Sequence, residues 1–117
     1  MERLKKRADF LRAAKGIRRV TPSLTLETCL TPEPAEAVRV GFTATRKLGG
    51  AVERNRAKRR LRAAAAAVLP LSGRAGNDYV LVARPGTLTR QFSSLIEDLG
   101  QALAAAHQKQ GSVRDKS

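Results

Sequence analysis

The chain has 117 residues, enough for one domain with a modest core, and a formal net charge of +13. Its one cysteine, Cys29, excludes an internal disulfide and a cysteine-built zinc site, and no apolar run is long enough to cross a membrane. The basic amino terminus is not followed by an apolar stretch, so no secretory signal is expected and the cytoplasm is the expected location.

The charge is unevenly placed. Residues 1–19 carry eight cations against two anions, residues 46–62 carry eight against one, and the rest hold seven of each. Two segments therefore account for the whole excess, as expected of a surface that meets a polyanion.

Residues 4–15 predict a short basic helix with an apolar stripe of Leu4, Ala8, Leu11 and Ala14. Phe10 lies beside that stripe, and Gly16 ends the helix. Residues 20–30 predict a strand with Leu24, Leu26 and Leu30 on one face and Thr25, Glu27 and Cys29 on the other. Residues 31–34 form a turn, and residues 37–45 predict a second strand. Val38, Val40, Phe42 and Ala44 alternate there with Arg39, Gly41, Thr43 and Thr45. The short connection suggests that these two strands pair antiparallel.

Gly49 and Gly50 open the densest basic stretch, RKLGGAVERNRAKRRLR, in which only Glu53 opposes the cations. From Ala51 it predicts a helix, with Val52, Ala57, Leu61, Ala64 and Val68 inward and Pro70 as its stop. Arg54, Lys58 and Arg62 are spaced i, i+4, as are Arg56 and Arg60. Like-charge pairs at that spacing each cost an isolated helix roughly 0.2–0.5 kcal/mol. A partner rich in phosphate relieves this repulsion, and the planar fork of arginine suits phosphate oxygens.

Residues 71–77 predict a loop, and residues 78–84 a buried strand ended by Pro85-Gly86. Strand, helix and strand across residues 38–84 make a crossover, so this last strand is expected parallel to a neighbour. Leu88, Phe92, Leu95, Ile96, Leu99, Leu103 and Ala106 then define an amphipathic helix capped by Thr87 or Thr89. The expected domain covers residues 1–107, and residues 108–117 are expected to be a disordered polar tail.

Little supports a protein active site. His107 stands alone and is expected to be solvated; Asp78 is expected to serve a turn or cap. The carboxylates are scattered, and no phosphate loop, nucleophile elbow or HExxH motif occurs. Composition alone leaves open a ribosomal or other structural RNA-binding protein without a processing role. A leucine-zipper reading fails because Pro70 follows the basic helix before any heptads.

The basic stretch resembles the signature of the bacterial ribonuclease P protein component, with its glycine lead-in, its Arg54-Asn55-Arg56 core and its Lys58-Arg59-Arg60-Leu61-Arg62 run. Asp9-Phe10, Gly16, Arg39-Val40-Gly41 and Asp78-Tyr79-Val80 fall in that family's order, so the resemblance covers about residues 3–105. It implies an α/β (α+β) sandwich with a three- to four-stranded mixed sheet and a left-handed βαβ crossover. It implies a protein that partners, as a monomer in a 1:1 complex, a catalytic RNA that removes the 5′ leader from precursor tRNA. The chemistry is carried by magnesium held mainly by that RNA, with no catalytic residue and no metal on the protein.

By the same resemblance, Arg46, Lys47, Arg54, Asn55, Arg56, Lys58, Arg59, Arg60 and Arg62 face the RNA subunit. Phe10, Arg12, Lys15 and Leu24 line a leader groove between the first helix and the sheet. Gly50 stands where the family usually has Asn, and Ala14 and Leu24 where some relatives carry aromatics. Base stacking, worth roughly 1–3 kcal/mol per base, is thereby reduced, and the groove is expected to rely on shape and charge.

Overall fold

The computed structural model describes residues 1–32 and 37–115, with side chains as far as Gln110. In chain order it contains β1 (Glu2–Arg3), α1 (Arg7–Ala14), β2 (Ile17–Val20), β3 (Leu24–Leu30), β4 (Arg39–Thr43), a 3-10 turn (Arg46–Leu48), α2 (Ala51–Ser72), β5 (Asn77–Ala83), α3 (Pro85–Thr89) and α4 (Phe92–Asp115). The strands form one mixed sheet in the order β1-β4-β5-β3-β2. The β4–α2–β5 crossover joins parallel neighbours, as expected.

The sheet has five strands, not three or four. The stretch expected as one strand at 20–30 is instead the end of β2, a turn and β3, the two strands making a hairpin from Ile17 to Leu30, because Pro22 cannot donate to a ladder. Thr21 closes its turn, with both its N–H and its hydroxyl donating to the carbonyl of Leu24. β1 is two residues long and pairs parallel with β4, far along the chain. β3 and β4 do not pair with each other: β5 runs between them, antiparallel to β3 and parallel to β4. A short connection constrained their directions but not their adjacency.

α2 and α4 pack together over one face of the sheet. Leu24, Leu26, Val40, Leu61, Leu69, Leu81, Leu95, Leu99 and Leu103 fill the core between them. α2 forms because its run of alanines favours helix and because Ala57, Leu61, Ala64, Ala65, Val68 and Leu69 give it one buried face. Val52, expected on that face, is 75% exposed, since the first turn carries no buried residue. Pro70 does not stop the helix, which runs on to Ser72. A proline in the last turn deletes a single backbone bond, and the Gly73 N–H still reaches the Leu69 carbonyl.

α1 lies on the opposite face of the sheet, against β3 and β5. Its inward residues are Asp9 and Ala13, whereas Leu11 is 50% exposed. Apolar periodicity misassigned this face because the residue that goes inside is an ion-paired aspartate. α4 continues beyond residue 107 to Asp115, where a disordered tail was expected; Gln110 is buried and accepts a hydrogen bond from Asn77 Nδ2 at 2.9 Å. The remainder of that tail, residues 116–117, lies outside the described residues, as do residues 33–34 of the expected turn. No described helix is long and apolar enough to cross a membrane.

Candidate nucleic-acid interface

β4 ends at Thr43, and the 3-10 turn with Gly49 swings the chain into α2. Gly49 has φ of +147°, a backbone state that glycine adopts at little cost. Gly50 is the N-cap of α2 and offers no side-chain oxygen, so the usual cap hydrogen bond is missing. Arg46 and Lys47 are exposed on the turn that leads in.

Asn55, Arg56, Arg59 and Arg62 are exposed along α2, and Arg54 and Lys58 are partly buried. Among the described residues none of these cations joins an ion pair. Arg54 Nε makes only a long contact, 3.4 Å, with the Gly50 carbonyl of its own helix. Arg60 differs: its guanidinium donates to the carbonyls of Leu88 and Arg90, where the chain turns from α3 into α4. It faces its own chain, not outward as expected. Nothing in local sequence distinguishes it from Arg59, because its acceptors lie 28 and 30 residues away.

The expected leader groove is only partly assembled. Phe10 rests on the sheet face opposite the core, beside Ala13, Val80 and Val82. Gly41 makes this seat possible, since a Cβ there would lie 2.6 Å from the Phe10 ring. Past Phe10, Val82 and Thr43 remain partly exposed as the floor. Leu24 is not in the groove: it is fully buried on the other face, under α2 and α4. Glu27 occupies the groove face of β3 instead, paired across the ladder with Arg18 and Val80. Burial pushes its carboxyl pKa up, against the opposing pull of Arg18. Strand alternation separates Glu27 from Leu24 without saying which face meets α1; the resemblance places Leu24 in the groove because some relatives carry an aromatic there.

Lys15 is exposed at the C-terminal end of α1. Arg12 lies on the flank of α1 away from Phe10, because residues two apart on a helix point roughly 200° apart. There it donates to Asp9 Oδ1 at 2.9 Å and lies 3.8 Å from Asp78 Oδ2. Arg39 completes the cluster, 2.9 Å from Asp9 Oδ2 and 3.3 Å from Asp78 Oδ1. Thr31 Oγ1 donates to Asp78 Oδ1 at 2.8 Å. Asp78, expected at a turn, is thus a fully buried partner that ties α1 and β4 to β5. A cavity of about 640 Å³ opens over this cluster, walled by α1, the N-terminal segment, Thr31 and Pro32.

His107 is not solvated either. It is 8% exposed, with its Nε2 2.7 Å from Tyr79 Oη. That oxygen already accepts from the Arg74 N–H at 2.8 Å and from Asn77 Nδ2 at 3.2 Å, so its own proton goes to a neutral histidine. Burial, and secondarily Arg74, lower the His107 pKa.

Residues 1–107 match the family model described as Ribonuclease P. The ribonuclease P protein component of Caulobacter vibrioides is 53% identical over 102 residues, covering 87% of this chain and 68% of that one. That of Ruegeria pomeroyi is 50% identical over 106 residues, covering 89% and 85%. Among solved structures, the Staphylococcus aureus RNase P protein superposes with a TM-score of 0.72 at 28% identity, covering 91% of this chain and 95% of that one. The Thermotoga maritima RNase P protein gives 0.72 at 25%, covering 88% and 96%. These likenesses favour tRNA processing over a structural ribosomal role. With the family model matched over residues 1–107 and the Caulobacter vibrioides and Ruegeria pomeroyi relatives at least 50% identical over most of the chain, the chain belongs to the ribonuclease P protein family and its role is in tRNA processing.

Proposed function

We propose that the outward face of α2, with Arg46 and Lys47, docks in a 1:1 complex onto the catalytic RNA of ribonuclease P. We further propose that the groove between α1 and the sheet holds the 5′ leader of precursor tRNA. One observation carries this reading: the cations of α2 find no counter-charge within the described chain, although ion pairs elsewhere are tightly made. The missing anions are RNA phosphates, supplied in the cytoplasm by the subunit and substrate.

Magnesium belongs on the RNA in this scheme. Among the described residues no three carboxylate, histidine or cysteine side chains converge as a cation site would require. The protein neutralises phosphates where two polyanions approach, and it grips the leader. Phe10 supplies one stacking face, and Val82 and Thr43 the floor.

Cleavage of precursor tRNA by the RNA subunit, with and without the protein, tests the reading across a magnesium titration. The protein should lower the magnesium requirement; equal rates at low magnesium would refute the assignment. Phe10→Ala should weaken precursor binding by roughly tenfold, within the value of one stacked base, and leave mature tRNA binding unchanged. Equal loss for both RNAs would remove Phe10 from the leader groove.

A further inference from the structure

Arg12 was expected in the leader groove, yet with Arg3, Lys5, Lys6, Arg39 and Asp9 it lines a cavity on the other flank of α1. The cavity measures about 640 Å³, within the ~300–1,000 Å³ typical of sites that hold small molecules. We propose that it is a second RNA site, taking one phosphodiester and its nucleoside. The proposal rests on the reading that this chain works on RNA, but not on the leader groove.

Three features make the cavity selective for phosphate. The first is pre-organisation. Asp9 and Asp78 hold Arg12 through Nη1 and Arg39 through Nε and Nη2. None of these pairs uses Nη2 of Arg12 or Nη1 of Arg39. Those arms are held in place before any ligand arrives, so less rotamer entropy is lost on binding. The second is charge: five cations line the cavity against Glu2 and Asp9, and Arg3, Lys5 and Lys6 are exposed. The third is the amino end of α1. Its N-cap, Lys6, makes no side-chain hydrogen bond; the Asp9 N–H already donates to the Lys6 carbonyl, so the first-turn N–H groups that remain for an anion are those of Arg7 and Ala8.

The cavity is separate from the α2 surface. Arg39 begins β4 and Thr43 ends it, a separation of about 13 Å along an extended strand. α2 starts beyond Thr43, whereas the cavity lies at the Arg39 end. The phosphate could come from the catalytic RNA or from a distal part of the leader.

The test uses Lys5→Ala with Lys6→Ala, both exposed and outside the buried ion pairs. Arg74→Ala with Lys109→Ala serves as a charge-matched control. Binding of full-length variants is measured two ways across a salt series: to the RNA subunit alone, and, in the holoenzyme, to precursor tRNAs with leaders of increasing length. The cavity pair should weaken one of these by about tenfold and flatten its log–log salt slope by about 1.5, while the control pair changes neither. Loss in the first assay identifies the catalytic RNA as the source. Loss confined to long leaders identifies the leader. If neither assay changes, or if both pairs lose affinity equally, the cavity is not a site and the proposal is overturned. In that case intact RNA binding would still leave the α2 docking role standing.

Discussion

Arg12 and Arg39 lie 2.9–3.8 Å from Asp9 and Asp78, whereas Arg56, Arg59 and Arg62 have no acid beside them among the described residues. The two basic segments carry similar numbers of cations, so the contrast lies in their counter-charge. Of the cations in residues 1–19, Arg12 alone joins an ion pair among the described residues; with Arg39 from β4 it meets Asp9 and Asp78 and fastens α1 across the sheet. α2 retains its repulsion because its core contacts, with Arg60 donating to the Leu88 and Arg90 carbonyls, hold it to the rest of the fold. The charge of the Arg12–Arg39 cluster is therefore part of the fold, whereas we assign the unpaired charge of α2 to assembly.

The largest effect should come from Asp78→Asn. This removes the buried carboxylate shared by Arg39, Arg12 and Thr31, and it leaves both guanidinium groups with Asp9 as their one carboxylate partner among the described residues. Losing charge-assisted contacts of this kind costs about 1.5–3 kcal/mol, which urea unfolding would read as a lower midpoint. A midpoint equal to wild type would mean that the N-terminal cluster is as dispensable as an exposed pair, and the contrast would fail.

Arg54→Ala with Arg56→Ala probes the other region. Unfolding should stay within about 0.5 kcal/mol of the parent, or rise slightly as like-charge repulsion is relieved. Affinity for the RNA subunit should fall by roughly 10- to 100-fold, with a shallower salt dependence. A large loss of stability with unchanged RNA affinity would reverse the two roles.

Arg60 sharpens the boundary within α2 itself. It sits in the basic run but donates to carbonyls at the α3–α4 junction. Arg60→Ala should cost about 1.5 kcal/mol of stability, the usual size of a charged hydrogen bond, and should reduce RNA affinity less than Arg59→Ala does. Equal RNA effects from the two would return Arg60 to the interface.

The same division explains what could be read from the sequence. The α2 surface was legible because its signal is local: dense like charge on one helix, with glycines before it. The buried cluster was not, because its members come from residues 9, 12, 39 and 78, and a helix stripe that buries Asp9 violates apolar periodicity. Leu24 and Glu27 show the same limit. Alternation separated their faces correctly, but only the sheet order reveals which face α1 shares. β1 escaped notice because two residues carry no period, and its partner lies more than thirty residues away.

His107 gives the smallest effect and extends the comparison to the closed end of the core. Its partner, Tyr79, lies 28 residues away, so no sequence window joins them. The hydroxyl of Tyr79 already accepts two hydrogen bonds and can donate only to a neutral imidazole. A base with a lowered folded pKa binds fewer protons folded than unfolded. The stability it contributes is therefore full above the ordinary histidine value of 6.5 and is lost as pH falls through that value towards the lowered folded one. Thermal unfolding should show a slight decline below pH 6.5 in the parent, absent in His107→Gln, which retains a polar group at that position. RNA affinity, which we assign to the α2 surface remote from His107, should not follow the same curve. If affinity and stability declined together over that window in the parent and not in the variant, the fold's charges and the interface's charges would be coupled after all.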